Sequence, residues 1–542
     1  MKRTSFLAGA VISTMGIVIC KFIGLVYVIP FYAIIGARGG ALYSYAYSIY
    51  NVFLTLATSG IPVAMSKIVS EYNERGFYNT KERVFKVGLQ IIGILGFISF
   101  VLLFTFAPQI AYLIIGDVKG GNSISDVVMV IRVISTAILV VPFLSVSKGY
   151  LQGHKIMQVS SIANILEQII RVIVILGGSY LALNVFHLSL NTAVGVAVFA
   201  ATVGAIFAYL YVLSKIRKSK DLKRHEKPNE YEKKITDKTL RKQIIFYALP
   251  FVVISLLQSA FVMVDIFTMV KSLVNIGYTT AIAEDAVSVI ATWGSKLNMI
   301  VMSIATGMVM SLIPAIASSF AVKNFKDVNL KVNQALQTLF IVTIPLASFM
   351  SFMAYGIWTV FYGYNEINGN IFHLLILSQI PLSVCSVMVN TNQTLNNTKE
   401  TIMALGGSLL CKIIFNIPMM YLFNFIGLEA YYAPICLNMI IDTSASIFLM
   451  HKVRKEANVN YFMSIRTFIK SILCTFIMLM SLAIINLFIP SFSTSRIVSF
   501  ALVCLYGIIG VGIYLFAVYK SKTLDEVFGK NFVSNLISKI KG

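Results

Sequence analysis

Apolar runs of about 20 residues recur along almost the whole chain. Each is long enough to cross the roughly 30 Å hydrocarbon core of a bilayer as an α-helix. Backbone polar groups find no water there, so a helix that satisfies its own hydrogen bonds is the form such runs can take. Only 12% of the 542 residues are charged, against about 25% in soluble domains. No stretch between the runs is long enough for a soluble domain of ordinary size. The reading is an all-α polytopic membrane protein with about fourteen transmembrane helices. They are placed at 6–35 (α1), 41–69 (α2), 84–115 (α3), 125–153 (α4), 156–184 (α5), 189–216 (α6) and 243–276 (α7). The remainder are 285–320 (α8), 331–362 (α9), 370–393 (α10), 399–424 (α11), 428–452 (α12), 464–489 (α13) and 495–520 (α14).

Charge between the runs alternates. With the N-terminus inside, the inner segments hold Arg75, Lys81, Arg83 and Lys86; His154 and Lys155; the basic run 215–242; Lys323, Lys326 and Lys331; Lys399; Lys452, Arg454 and Lys455; and a basic tail. The outer segments hold only Arg38, Lys119 and Arg496. A miscount by one helix would scramble this pattern, which follows the cytoplasmic excess of Lys and Arg in membrane proteins. It predicts a multi-pass protein with both termini cytoplasmic. The same bias accounts for much of the net charge of +22 without nucleic acid as a partner. Lys2 and Arg3 precede a long apolar run with no small-residue cleavage site, so the first helix is expected to be retained.

The stretch 215–242 is the one long polar linker and splits the chain into two six-helix halves with two helices left over. The halves share weak motifs. Ser59-Gly60-Ile61-Pro62 in α2 resembles Ser311-Leu312-Ile313-Pro314 in α8, and Pro142 in α4 has a counterpart in Pro381 of α10. Six is even, so the repeats are expected to run parallel, as in a class of secondary transporters. The expected organisation is an N-terminal lobe 1–216, a basic linker 217–242, a C-terminal lobe 243–452, the extra pair 453–520 and a cytoplasmic tail 521–542.

Several apolar runs contain charges. A cation at a helix centre costs roughly 2.5–3.5 kcal/mol on insertion scales, so such residues face protein or a wet cavity. Lys21 (α1), Arg171 (α5), Lys296 (α8) and Lys412 (α11) are the cations; Glu167, Asp265 and Asp442 are the acids. Glu167 and Arg171 are spaced i, i+4, which is ion-pair geometry. That pair reads either as structural or as a substrate contact. Lys21 and Lys296 have no acid one turn away on their own helices and need a partner from elsewhere, either a buried acid or an anionic ligand. Polar residues are dense in α2, with Tyr43, Ser44, Tyr45, Tyr47, Ser48, Tyr50 and Asn51, and suit a sugar-contacting wall or an interfacial aromatic belt. Pro30, Pro62, Pro142, Pro250, Pro314, Pro345, Pro381 and Pro418 permit kinks, and Gly60, Pro62 and Pro314 are hinge candidates. The six cysteines and five histidines show no metal or disulfide spacing.

Segments 6–73, 130–173 and 295–320 carry a resemblance. FLAGAVISTMGIVICKFIGLVYVIPFYAIIGARGGALYSYAYSIYNVFLTLATSGIPVAMSKIVSEYN, VIRVISTAILVVPFLSVSKGYLQGHKIMQVSSIANILEQIIRVI and SKLNMIVMSIATGMVMSLIPAIASSF are similar to the YtgP/SpoVB/MurJ group of the multidrug/oligosaccharidyl-lipid/polysaccharide exporter superfamily. The resemblance runs from about residue 3 to 520. It implies a MATE-like fold of two pseudo-symmetric six-helix lobes around a cationic cavity, with α13 and α14 forming a lipid-tail groove. It further implies a flippase that carries lipid II, undecaprenyl-pyrophosphate bearing the peptidoglycan disaccharide-peptide, across a bacterial plasma membrane. The family's basic positions in α1 and α8 fall on Lys21 and Lys296. Its further α1 arginine falls on Tyr27, and its α2 arginines fall near Leu54 and Thr55, so that part of the cation cluster is absent here.

The resulting expectations are these. Lys21 and Lys296, one from each lobe, approach a central cavity, with Arg171, Lys412, Glu167 and Asn51 as further substrate contacts. Asp265 and Asp442 are candidates for ion coupling. No P-loop is present, so the drive is Na+ or H+, the membrane potential or the substrate gradient, with no cofactor and no metal. Expected partners are the polyprenyl-linked glycan, membrane lipids and cell-wall synthesis proteins, and the chain is expected to be monomeric. Alternatives are a flippase for a capsule, teichoic or spore-cortex precursor, and a drug/cation antiporter of the same fold. A membrane glycosyltransferase would need a catalytic acid beside a sizeable outer loop, and the predicted outer loops are short.

Overall fold

The computed structural model describes residues 19–528 apart from 59, 117–119, 155, 220–231, 233 and 311. Lys2, Arg3, Lys119, Ser59, Ser311, most of the basic linker and the end of the tail lie outside the described residues. The described chain is helical throughout. Twelve helices among the described residues are long and apolar enough to cross a membrane.

Those twelve account for thirteen of the predicted fourteen, because the first of them holds two, and α8 lies outside the twelve. The span Val28–Glu74 bends at Gly36, whose φ of 65° and ψ of −173° are not helical. It therefore holds the end of α1 (19–35) and all of α2 (37–74). The segment predicted as α8 at 285–320 is a series of helix pieces from Thr280 to Ala321, with a π-turn at Val289–Trp293. The others are α3 (78–115), α4 (Ile124–Gly153), α5 (Met157–Val185), α6 (Leu190–Lys218), α7 (Asp237–Ile276), α9 (325–362), α10 (Glu366–Thr394), α11 (Thr398–Phe425), α12 (Ala430–Ala457), α13 (Phe462–Asn486) and α14 (Arg496–Lys520). A short α15, Thr523–Phe528, follows.

The breaks recur in both halves. α2 stops at Thr58 and resumes at Ile61, while α8 has pieces ending at Met310 and starting at Leu312. α3 breaks at Phe106 and α9 at Met353; α4 changes to a 3-10 turn at Thr136–Leu139, and α10 breaks at Ser378. Pro62, Pro108 and Pro142 each occupy the second position of the helix piece that restarts. Proline fits there because the missing N–H would have no intrahelical partner. Pro250, Pro345 and Pro418 lie within continuous helices.

The chain forms two compact units, Met1–Ser288 and Val289–Gly542. In the first, α7 runs 40 residues, about 60 Å, against α2 and α3. Arg83 Nη2 meets Asp237 Oδ1 at 2.6 Å, Tyr72 Oη donates to Gln243 Oε1 at 3.0 Å, and the Thr55 and Ser259 hydroxyls are 3.3 Å apart. Farther along, Lys271 Nζ sits 5.0 Å from the centre of the Tyr112 ring. The packing boundary thus falls inside α8 rather than at the linker, because α7 packs with α2 and α3 along its length. The break in α2 is built into this packing. Gly60 has φ 76°, and a Cβ there would stand 2.4 Å from the Ala248 carbonyl oxygen of α7. At the start of α8, buried Glu284 accepts from Asn122 N (3.0 Å) and Asn122 Nδ2 (2.9 Å), tying the α3–α4 loop to this unit.

In the second unit α13 and α14 lie on α9. Asn333 Nδ2 donates to the Asn460 carbonyl at 2.8 Å, Gln337 Nε2 to Thr467 Oγ1 at 2.9 Å, and Tyr514 Oη to the Ile341 carbonyl at 2.7 Å. Their outer faces expose Ile465, Leu473, Phe476, Ile508 and Phe516, as lipid-facing surfaces do.

Candidate functional site

Glu167 and Arg171 lie one turn apart on α5, so their side chains share a face. A short turn near His154 and Ile156 makes α4 and α5 neighbours and delivers Lys148 to the same carboxylate. Arg171 Nη2 donates to Glu167 Oε1 at 3.0 Å and Lys148 Nζ to Glu167 Oε2 at 3.2 Å. One acid thus holds two cations, one on each oxygen, and the triad carries a net charge of +1. The three side chains are 16–22% exposed, so water screens that excess poorly.

Unfilled donors surround the triad. Arg171 Nε and the Tyr50 hydroxyl are buried with no hydrogen-bond partner among the described residues. Tyr43, Tyr47 and Tyr50 of α2 lie within electrostatic reach of Arg171. Tyr43 stacks on Tyr47 with ring centres 4.4 Å apart, and Tyr47 meets Tyr50 edge-on at 6.0 Å. Buried polar groups are normally paired, so orphan donors beside excess positive charge mark a place suited to an anionic, hydroxyl-rich ligand. α1 borders the same region: a Cβ on Gly24 would be 3.4 Å from Gln168 Nε2, and Cys20 lies within electrostatic reach of all three triad charges. Half-buried Lys21 stands three residues before Gly24 and makes interactions of its own.

The remaining expected residues fall elsewhere. In the first unit, Asn51 is exposed on α2 and Asp265 is buried on α7. Pro62 is the second residue of the second piece of α2, and a Cβ on Gly149 would stand 2.6 Å from its carbonyl oxygen. In the second unit, Lys296 is half-buried with Nζ 4.7 Å from the centre of the Trp293 ring. Trp293 ends the π-turn, and its carbonyl accepts from Tyr362 Oη at 2.8 Å. Lys412 is fully buried and donates to Asn438 Oδ1; its charge reaches Asp442, one turn beyond Asn438 on α12. Asp442 therefore faces a tethered ammonium. Pro314 is the third residue of the helix piece Leu312–Ala321. No group of His, Cys, Asp and Glu able to hold a metal ion occurs among the described residues.

Lys148 is the triad member that sequence reasoning missed. In SVSKGYLQGHK it reads as an interfacial lysine near a helix end. The signal was Glu167 itself: a helix hairpin this short obliges the preceding helix to face the acid, and Lys148 is its basic residue within reach.

The spanning helices and the buried, net-cationic polar cluster define a polytopic membrane protein with a transporter's fold. Solved structures share that fold. An inward closed lipid II flippase MurJ superposes with a TM-score of 0.69 at 15% identity, covering 96% of this chain and 100% of that one. An inward-facing multidrug resistance MATE family transporter of the MOP superfamily gives 0.65 at 14% identity, covering 81% and 94%. The polysaccharide biosynthesis protein family matches residues 6–320. Lipid II flippase MurJ of Bacillus subtilis (strain 168) is 30% identical over 537 residues, 97% of each chain. The chain belongs to the polysaccharide biosynthesis protein family, as a multi-pass protein of a bacterial membrane.

Proposed function

We propose that this chain is a transporter that moves lipid II from the inner to the outer leaflet of a bacterial plasma membrane by alternating access. The observation that carries this reading is the match to the Bacillus subtilis lipid II flippase along 97% of both chains. The chemistry at the triad agrees with it. A pyrophosphate-linked disaccharide presents anionic oxygens and many hydroxyls, and the first unit offers excess cation, Arg171 Nε and tyrosine hydroxyls in a buried setting.

Lys148, Arg171 and Lys21 in the first unit, and Lys296 in the second, are proposed as the cations that serve the head group. Lysine binds phosphate as a point charge without the bidentate fork of arginine, so several cations share the task. Asn51 is proposed as a sugar contact and Gly60, Pro62 and Pro314 as hinge positions. Asp265 and Asp442 are the coupling candidates, with Lys412 as the fixed counter-charge of Asp442. The lobes 1–216 and 243–452, with 453–520 as the lipid-tail pair, follow the recurring helix breaks, and the charge pattern supports cytoplasmic termini. A ligand moves such a two-state system only through unequal affinity for its states. Binding that neutralises the cation excess in the inward state would supply that inequality.

Depletion with complementation tests the proposal. In a bacterium whose lipid II flippase is depleted, expression of this chain should restore growth and clear lipid II from the inner leaflet. Rescue only of a strain that accumulates a different polyprenyl-linked glycan would overturn the substrate assignment.

A further inference from the structure

On the flank of the first unit, α3, α4 and α7 enclose an open groove of about 540 Å³, within the roughly 300–1,000 Å³ typical of small-molecule sites. Its floor is Gly93 and Phe143, with the ring packed closely on the glycine: a Cβ there would stand 3.1 Å from Phe143 Cζ. Leu89 and Ile94 form its apolar walls. At its mouth Arg241 Nη2 donates to Gln90 Oε1 at 3.3 Å. Exposed Lys86 stands one turn before Gln90, and exposed Lys238 one turn before Arg241.

Polarity changes sharply along the groove. One and two turns beyond Gln90, Ile94 and Ile98 are 62% and 48% exposed; one and two turns beyond Arg241, Ile245 and Leu249 are 51% and 55% exposed. A cationic mouth leading to exposed aliphatic walls is the profile of a site at headgroup depth. The groove is also braced. Arg83 binds Asp237 Oδ1 and the Ile235 carbonyl, at 2.6 and 2.9 Å, and so anchors the start of α7 to α3. It is separate from the triad as well: Phe143 and Lys148 are five residues apart, about 140° around α4.

We propose that this groove binds an anionic glycerophospholipid, with one acyl chain on Gly93 and Phe143 and the phosphate between Arg241, Lys86 and Lys238. Basic pockets between membrane helices capture such headgroups, and a lipid seated here would clamp α7 to α3. The occupant is a bilayer phospholipid and not the polyprenyl chain of the transported substrate.

The test uses the full chain purified in detergent and native mass spectrometry with added phosphatidylglycerol or phosphatidylethanolamine. The wild type should retain phosphatidylglycerol preferentially. Arg241→Gln, at an exposed position that needs no repacking, should cut that retention roughly fivefold, the effect of one near-surface cation, and leave phosphatidylethanolamine unchanged. Gly93→Leu, which fills the floor, should reduce retention of both. Equal retention of the two lipids by the wild type, or no change in Arg241→Gln, overturns the proposal. So does displacement of phosphatidylglycerol by equimolar undecaprenyl phosphate, which would make the groove a polyprenyl site. The readout is binding without transport, so its failure leaves the flippase assignment standing, and failed complementation leaves this site standing.

Discussion

Replacing Glu167 by Gln removes one carboxylate and strands two cations. Each charge-assisted hydrogen bond in this setting is worth about 1.5–3 kcal/mol, and breaking a buried ion pair costs about 3–5 kcal/mol. The side chains retain 16–22% exposure and Gln still offers one acceptor oxygen, so the low end applies, about 3 kcal/mol. Against a total stability of about 5–15 kcal/mol, that loss is large enough to read. The assay is the folded, monodisperse fraction after detergent extraction, with its thermal midpoint. An isolated Glu167–Arg171 pair would be repaired by Glu167→Gln with Arg171→Met. The observed triad predicts otherwise: that double variant leaves Lys148 without its carboxylate and stays deficient, and adding Lys148→Met restores the folded fraction. The triple variant should fold and fail to transport. Wild-type abundance in Glu167→Gln, or full repair by the double variant, would refute the reasoning.

Lys21→Gln, Lys148→Gln and Lys296→Gln should each abolish complementation at normal expression while Lys→Arg at the same positions retains it; growth on all three Gln variants would remove the cationic site from the mechanism. Gly60→Ala should lower folded yield sharply, because its Cβ would stand 2.4 Å from the Ala248 carbonyl oxygen at φ 76°; abundance by in-gel fluorescence checks it. Lys412→Met should also lower yield by leaving Asp442 unpaired, and adding Asp442→Asn should recover it. For orientation, cysteines placed near Glu284 or Glu366 should react with an impermeant thiol reagent in intact cells, and cysteines at 225–235 should not, with exposed native Cys411 and Cys504 removed first.

Legibility followed the range of the interaction concerned. The helices were readable because membrane insertion is decided run by run: Tyr78–Thr105 and Arg496–Lys520 carry their apolarity locally, with no appeal to tertiary contacts. Breaks were only partly readable. Pro62 and Pro142 mark restarts, yet Pro250 and Pro345 sit in continuous helix, because proline permits a kink and neighbouring packing decides whether one forms. At Gly60 that decision comes from Ala248, 188 positions away. Ion pairing was legible within a helix, where Glu167 and Arg171 follow the i, i+4 rule, and illegible between helices, so Lys148 went unnoticed. The same limit hid Glu284. By sequence it is one acid of a short outer loop; in the structure Asn122 holds it inside the protein with three hydrogen bonds.

These cases share one cause. In a bilayer, burial by lipid and burial by protein look alike in sequence, since both select apolar side chains. What distinguishes them is where polar atoms find partners, and that is a property of pairs of helices. Lys412 shows the consequence. Its run reads as an ordinary lipid-facing helix with one costly lysine, and α11 does expose Leu410, Ile413, Ile414 and Phe415. The lysine itself is fully buried, turned toward Asn438. One helix thus has a lipid face and an electrostatic face, and the charge identifies the second. For a chain of this kind, intramembrane charges are better guides to where helices meet than the apolar pattern that reveals the helices.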